Sequence, residues 1–88
     1  MQSSGIKQAD TAIKSSPGTV YSVTISDTAA LAVEFNNSTD GSGTDLWGID
    51  LPANGYLHVD FGAHGLVFDK GIYLDVSTTS CKVTIRYE

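Results

Sequence analysis

The sequence predicts an all-β domain: an antiparallel two-sheet sandwich, jelly-roll-like, of about eight short strands. Three observations carry this. Val, Ile and Thr make up a quarter of the 88 residues, against two Glu and two Gln, a balance that favours strands over helices. Turn signals recur at Pro17-Gly18, Asp27-Thr28, Asn37 to Gly43, Pro52 to Gly55, Gly62 to Gly65, Lys70-Gly71 and Thr78 to Ser80. The runs between them alternate in polarity with the period of two that sends successive side chains to opposite faces. No run carries the period of an amphipathic helix, so the apolar faces of the strands need a second sheet as cover.

Taken in order, Thr11 to Ser15 is a weak first strand. In Thr19 to Ser26, Tyr21, Val23 and Ile25 share the inward face against Val20, Ser22 and Thr24. Ala29 to Asn36 turns Leu31, Val33 and Phe35 inward, opposite Ala32 and Glu34. Thr44 to Leu51 puts Trp47, Ile49 and Leu51 inside, with Leu46, Gly48 and Asp50 outside. Tyr56 to Phe61 gives Leu57, Val59 and Phe61 against Tyr56, His58 and Asp60. Leu66 to Phe68 is a second weak strand. Gly71 to Ser77 buries Ile72, Leu74 and Val76 and shows Tyr73 and Asp75. Cys81, Val83 and Ile85 line the last strand, with Lys82, Thr84 and Arg86 outside. The division expected is a polar N-terminal arm over residues 1–13 and a single sandwich over residues 14–88.

At 9.3 kDa the chain holds one core, and a domain of this size is marginal as a monomer without disulfides or metal. Its single cysteine allows no internal disulfide. Ten acids face five bases, a formal net charge of −5. Lys7, Lys14, Lys70, Lys82 and Arg86 are too scattered to form the cationic stripe that nucleic-acid binding requires. No apolar run approaches a membrane span, and Met1 to Gly5 lacks the basic start and apolar stretch of a signal peptide. The expectation is a chain made in the cytoplasm with neither nucleic acid nor membrane as a partner.

Residues that carry chemistry elsewhere have plainer roles here. His58 alternates onto a polar face and His64 sits in a turn, neither at metal-ligand spacing. Cys81 shares the inward face with Val83 and Ile85, where a thiol acts as a small hydrophobe. Asp40-Gly41-Ser42-Gly43-Thr44-Asp45 departs from the spacing of a calcium loop and reads as a mobile hairpin tip. Gly41, Gly43 and Gly48 precede no helix that would present amides to phosphate. Trp47 and Tyr56 offer rings for stacking on a sugar, but Trp47 shares the face of Ile49 and Leu51 and reads as core. No pair of carboxylates stands out for glycoside hydrolysis, and the expectation is a protein with no enzymatic activity, cofactor or metal.

Lys14-Ser15-Ser16-Pro17-Gly18-Thr19-Val20-Tyr21 resembles the opening turn and first long strand of a set of small tailed-phage virion proteins. The Phe35-Asn36-Asn37 strand end, the Leu51-Pro52-Ala53-Asn54-Gly55 turn, and the stretch from Gly65 to Ser77 that leads to a closing Val83-Thr84-Ile85-Arg86-Tyr87 are similar to later landmarks of that set. The likeness covers about residues 14 to 87 and consists of turns and core positions. It implies an accessory structural protein of the virion. The type the resemblance implies is a capsid decoration or cement protein, expected as a homotrimer that stabilises the phage head from outside, with the major capsid protein as its partner. The alternative is a head or tail fibre component that binds host surface glycans.

Candidate contacts with other subunits or with the shell follow from exposure. Leu46, Tyr56 and Tyr73 are apolar groups on outward faces. Ile6 and Lys7 lie in the polar arm, which is suited to lying on a neighbour, and Asn37 and Asp40 lie in the longest loop.

Overall fold

The computed structural model describes residues 1–88 and consists of nine strands in two antiparallel sheets, with no helix. The strands are β1 (Gln2–Ser3), β2 (Thr11–Lys14), β3 (Gly18–Ser26), β4 (Leu31–Asn37), β5 (Thr44–Leu51), β6 (Tyr56–Asp60), β7 (Leu66–Phe68), β8 (Ile72–Val76) and β9 (Lys82–Tyr87). One sheet, here sheet A, runs β1-β9-β3-β6, with β7 also on β3. Sheet B runs β2-β8-β4-β5. Every run expected from the alternation is a strand, and the two-residue β1 is an addition.

Four pairings are nested in chain order, and the β3–β9 and β4–β8 ladders join them side by side into the two sheets. β4 pairs with β5, β3 with β6 and β7, β2 with β8 and β1 with β9. β6 and β7 lie along the same edge of β3, the first opposite Ser22 to Ser26 and the second opposite Gly18 to Val20. Between them Phe61 N donates to Tyr21 O at 2.9 Å and the chain leaves the sheet as the loop Gly62 to Gly65. Gly65 is required at its return, because its φ is +68° and a Cβ there would lie 2.9 Å from Val20 O.

Twelve apolar residues form the buried core: Val20, Val23, Ile25, Leu31, Val33, Phe35, Phe68, Ile72, Leu74, Cys81, Val83 and Ile85. Phe35 sits at its centre, stacked on Trp47 at 5.2 Å between ring centroids and edge-on to Phe68 at 6.3 Å. Three register shifts displace the simple alternation, one in β2 between Ala12 and Lys14 and two in the longer strands. Opposite β9, Val20 pairs with Tyr87 and Ser22 with Arg86, which leaves Tyr21 as the extra residue. Val20 therefore points inward, and Tyr21, expected inside, is half-buried. Opposite β4, Phe35 pairs with Trp47 and Asn36 with Asp45, so Leu46 is the extra residue of β5.

Residues 1–13 are mostly exposed, but Ile13 packs against the core, and the segment lies along its own domain. Gln2 and Ser3 pair with Tyr87 and Arg86, Lys7 bridges to Val83, and Thr11 and Ala12 pair with Leu74 and Tyr73. The segment begins at the edge of sheet A and ends at the edge of sheet B. The backbone groups of β8 and β9 supply the physical reason, since an open strand edge is satisfied by the nearest chain. The expected boundary between residues 13 and 14 falls inside β2.

Candidate functional site

The two long sides of the sandwich differ. On one, the edge strands β1 and β2 are short and polar, which blunts them against further pairing. On the other, the eight-residue β5 ends sheet B and the β6–β7 line ends sheet A, each paired on one side alone. The inward faces of these two strands meet across the open side, where Trp47 lies edge-on to Phe61 at 5.7 Å. Trp47, Ile49, Leu51, Leu57, Val59 and Phe61 all point inward, yet each is half-buried because no further strand covers them. Sequence alternation places these six in the core and cannot see that both strands are edges. Val67 on β7 adds a side chain that is 64% exposed.

Charge is segregated as well. The outer face of sheet B carries Glu34, Asp45, Asp50 and Asp75, with Asp10 beside Asp75, and β4, β5 and β8 contain no basic residue. The other five acids equal the five bases in number, so the whole formal net charge of −5 belongs to this face. Glu34 stands opposite Asp75 in the ladder. The Glu34 carboxyl is held above the usual carboxylate range by its hydrogen bond with Asp45 and by that group's charge, while Asp45 is lowered by the same bond and by Asn36. Asp75 is raised by burial and then by the charge of Asp10.

Each end of the sandwich is tied by one short polar side chain. At one end Asp27, 6% exposed, accepts hydrogen bonds from Ala29 N, Thr78 Oγ1 and Ser80 Oγ and so joins two turns. At the other, Asn36 donates to Gly43 O and Asp45 Oδ1, both at 2.8 Å, and accepts from Gly43 N and Ser38 Oγ. Gly41 N donates to Ser38 Oγ at 2.8 Å. The loop expected as a mobile tip is thus folded back on β4.

The contact residues anticipated from sequence do not converge. Leu46 lies on the β5 edge, 38% exposed. Tyr56 begins β6 and is 85% exposed on the outer face of sheet A. Tyr73 is half-buried on the outer face of sheet B, its ring against Gly41. Asp40 caps its own loop by accepting from Ser42 N and Oγ, and Asn37 binds Asp69 Oδ1 and Lys70 N across the loop ends. Ile6 and Lys7 lie on the opposite side, with Ile6 exposed and Lys7 half-buried.

His58 is on the outer face of sheet A, bonded through Nδ1 to Thr24 Oγ1 at 2.8 Å, and His64 is exposed in its turn. Cys81 is buried, and burial followed by the charge of Asp27 pushes its thiol up, away from the reactive thiolate. No group of three or more His, Cys, Asp or Glu side chains is placed to hold a metal ion. No protein-family model, curated protein or solved structure matches the chain.

Proposed function

We propose that this chain is a structural subunit of a phage virion, a capsid decoration or cement protein without enzymatic activity, that works as a homotrimer on the major capsid protein. The observation that carries the oligomer is the open side of the sandwich, where two edge strands expose unpaired backbone and six apolar side chains remain half-covered. Three copies that turn this side toward a common axis cover the seam in every copy and close the assembly. The nested pairing supports the jelly-roll reading, with β7 as a continuation of β6. The likeness of the Lys14-to-Tyr21 opening and the later landmarks to small virion proteins supports the place of action, the capsid surface.

Sedimentation velocity at micromolar concentration tests the oligomer. The expected species has three times the mass of the 9.3 kDa chain, and Val59→Glu returns it to monomer by placing a charge in the seam. A stable monomer of the native chain removes the proposal's basis. Imaging the virion tests the role: copies spread over the shell fit a cement protein, and copies confined to the tail or one vertex replace it with the fibre reading. A cement protein also raises the resistance of expanded shells to heat, because it binds only the assembled state.

A further inference from the structure

The outer face of sheet A holds a polar trough. Three rows of side chains cross it in register: Asp60–Ser22–Arg86, His58–Thr24–Thr84 and Tyr56–Ser26–Lys82. The middle member of each row is a short hydroxyl residue on β3, and longer side chains rise at both ends of the first and last rows. The trough therefore runs along β3 for roughly 13 Å, with its walls about 9.5 Å apart at the backbone. A hollow of about 530 Å³ lies over the first row and one of about 260 Å³ over the third. The larger falls within the size range of small-ligand sites.

Several groups in this trough keep spare hydrogen-bonding capacity, although Ser22 on its floor is only 8% exposed and the Thr24 hydroxyl already bonds His58. The chain's one ion pair joins the Met1 amine to Glu88, so neither Arg86 nor Lys82 is held by a carboxylate. His58 binds Thr24 through Nδ1 and keeps Nε2 for another partner. Asp60 accepts from Gly62 N through Oδ1, which leaves Oδ2. At one end stands the ring of Tyr56, the most exposed of the large apolar side chains.

From this arrangement we infer that the trough is a binding site for a neutral oligosaccharide laid along β3. Cationic donors line one wall, an acceptor and an imidazole line the other, and hydroxyls that both donate and accept form the floor. Donors and acceptors mixed at this density match the hydroxyls of a sugar chain. The exposed Tyr56 ring supplies an apolar platform for a sugar face. A peptide would bind differently, because strand addition needs a free backbone edge and both edges of β3 are occupied by β9 and β6. Two cations offset by Asp60 are too few to hold a polyanion. The inference goes beyond the assembly reading and does not depend on it, since the trough lies outside the open seam.

Titration of the ¹⁵N-labelled full chain with maltotetraose, cellotetraose and chitotetraose tests it, with oligogalacturonate as a charged control. At least one neutral sugar is expected to bind with millimolar or tighter affinity and to shift the amides of Ser22, Thr24, Ser26 and His58. Tyr56→Ala and Arg86→Ala are each expected to weaken binding at least tenfold while circular dichroism and sedimenting mass stay unchanged. The site is refuted if none of the neutral sugars binds, if the shifts map elsewhere, or if the variants bind as well as the parent. Binding of oligogalacturonate alone refutes the neutral class.

Discussion

Asp27 and Ser80 are 53 residues apart in sequence and are joined by a 2.6 Å hydrogen bond, with the Ser80 hydroxyl donating to Oδ1. Thr78 Oγ1 donates to the other oxygen at 2.5 Å, and Ala29 N to Oδ1 at 2.9 Å. The backbone N of Asp27 itself donates to Gly55 O at 3.2 Å, which brings the β5–β6 turn into the same knot. One residue, through its carboxylate and its backbone amide, thus gathers the turns β3–β4, β5–β6 and β8–β9 at one end of the sandwich.

Those hydrogen bonds from Ser80, Thr78 and Ala29 hold the Asp27 carboxyl below its usual range. A depressed folded pKa gives a contribution that is complete above the unfolded pKa and is lost as pH falls through the folded value. Asp27→Asn is expected to lower the urea midpoint at pH 7 and to blunt the loss of stability in acid. Equal midpoints for the two proteins at neutral pH would show that the knot adds nothing.

Two of the sheet B carboxylates, Glu34 and Asp75, act with the opposite sign. The Glu34 and Asp75 carboxyls are raised, so they take up protons more readily folded than unfolded and weaken the fold at neutral pH. This burden lifts as pH falls through their folded values. Glu34→Gln is expected to stabilise the protein at pH 7 and to give a progressively smaller gain as the pH approaches 4, read from urea midpoints across that range. A variant less stable than its parent at pH 7 would mean that Glu34 supports the sheet in some other way.

Phe68 is fully buried and edge-on to Phe35. Phe68→Ala is expected to destabilise the domain by about 3–5 kcal/mol, through lost burial and the cavity left behind. That is comparable to the whole stability of a small domain, about 5 kcal/mol. The expected product is largely unfolded by circular dichroism, whereas Val67→Ala on the neighbouring exposed position changes stability by about 0.5 kcal/mol or less.

Removal of residues 1–13 bares the backbone of β9 from Val83 to Tyr87 and the edge of β8 that Thr11 and Ala12 occupy. The truncated protein is expected to unfold at lower temperature and to scatter light at concentrations where the full chain stays clear. A truncated form as stable and as soluble as the parent would show that the segment's pairing is incidental.

What the sequence discloses depends on period. Strands β4 and β8 alternate without interruption over most of their length, and Leu31, Val33, Phe35, Ile72 and Leu74 were legible as core. Val20 was not, because a bulge adds one residue and reverses the face of everything beyond it. Phe68 was not either: Leu66-Val67-Phe68 is apolar at all three positions and has no alternation to read. The open seam was hidden for another reason. Its residues look like core, and whether a strand ends a sheet depends on pairing with distant segments, which local patterning does not encode. The trough shares that difficulty, since Ser22, His58 and Arg86 come from three strands that meet only in the fold.

The nested pairing also sets an order for folding. β4 and β5 are joined by a six-residue turn whose own hydrogen bonds, through Asn36 and Ser38, are all local to the hairpin. Once it has closed, β3 and β6 are brought within a short loop of each other, and each later pair, β2 with β8 and then β1 with β9, inherits ends already drawn together. The entropy of closing a long loop is thereby divided into small successive steps. The chain is therefore expected to zip outward from its middle, with the two-residue β1 the last strand to join and the first to fray, while β9 is held between β1 and β3 by its pairing with β3 and by buried Val83 and Ile85.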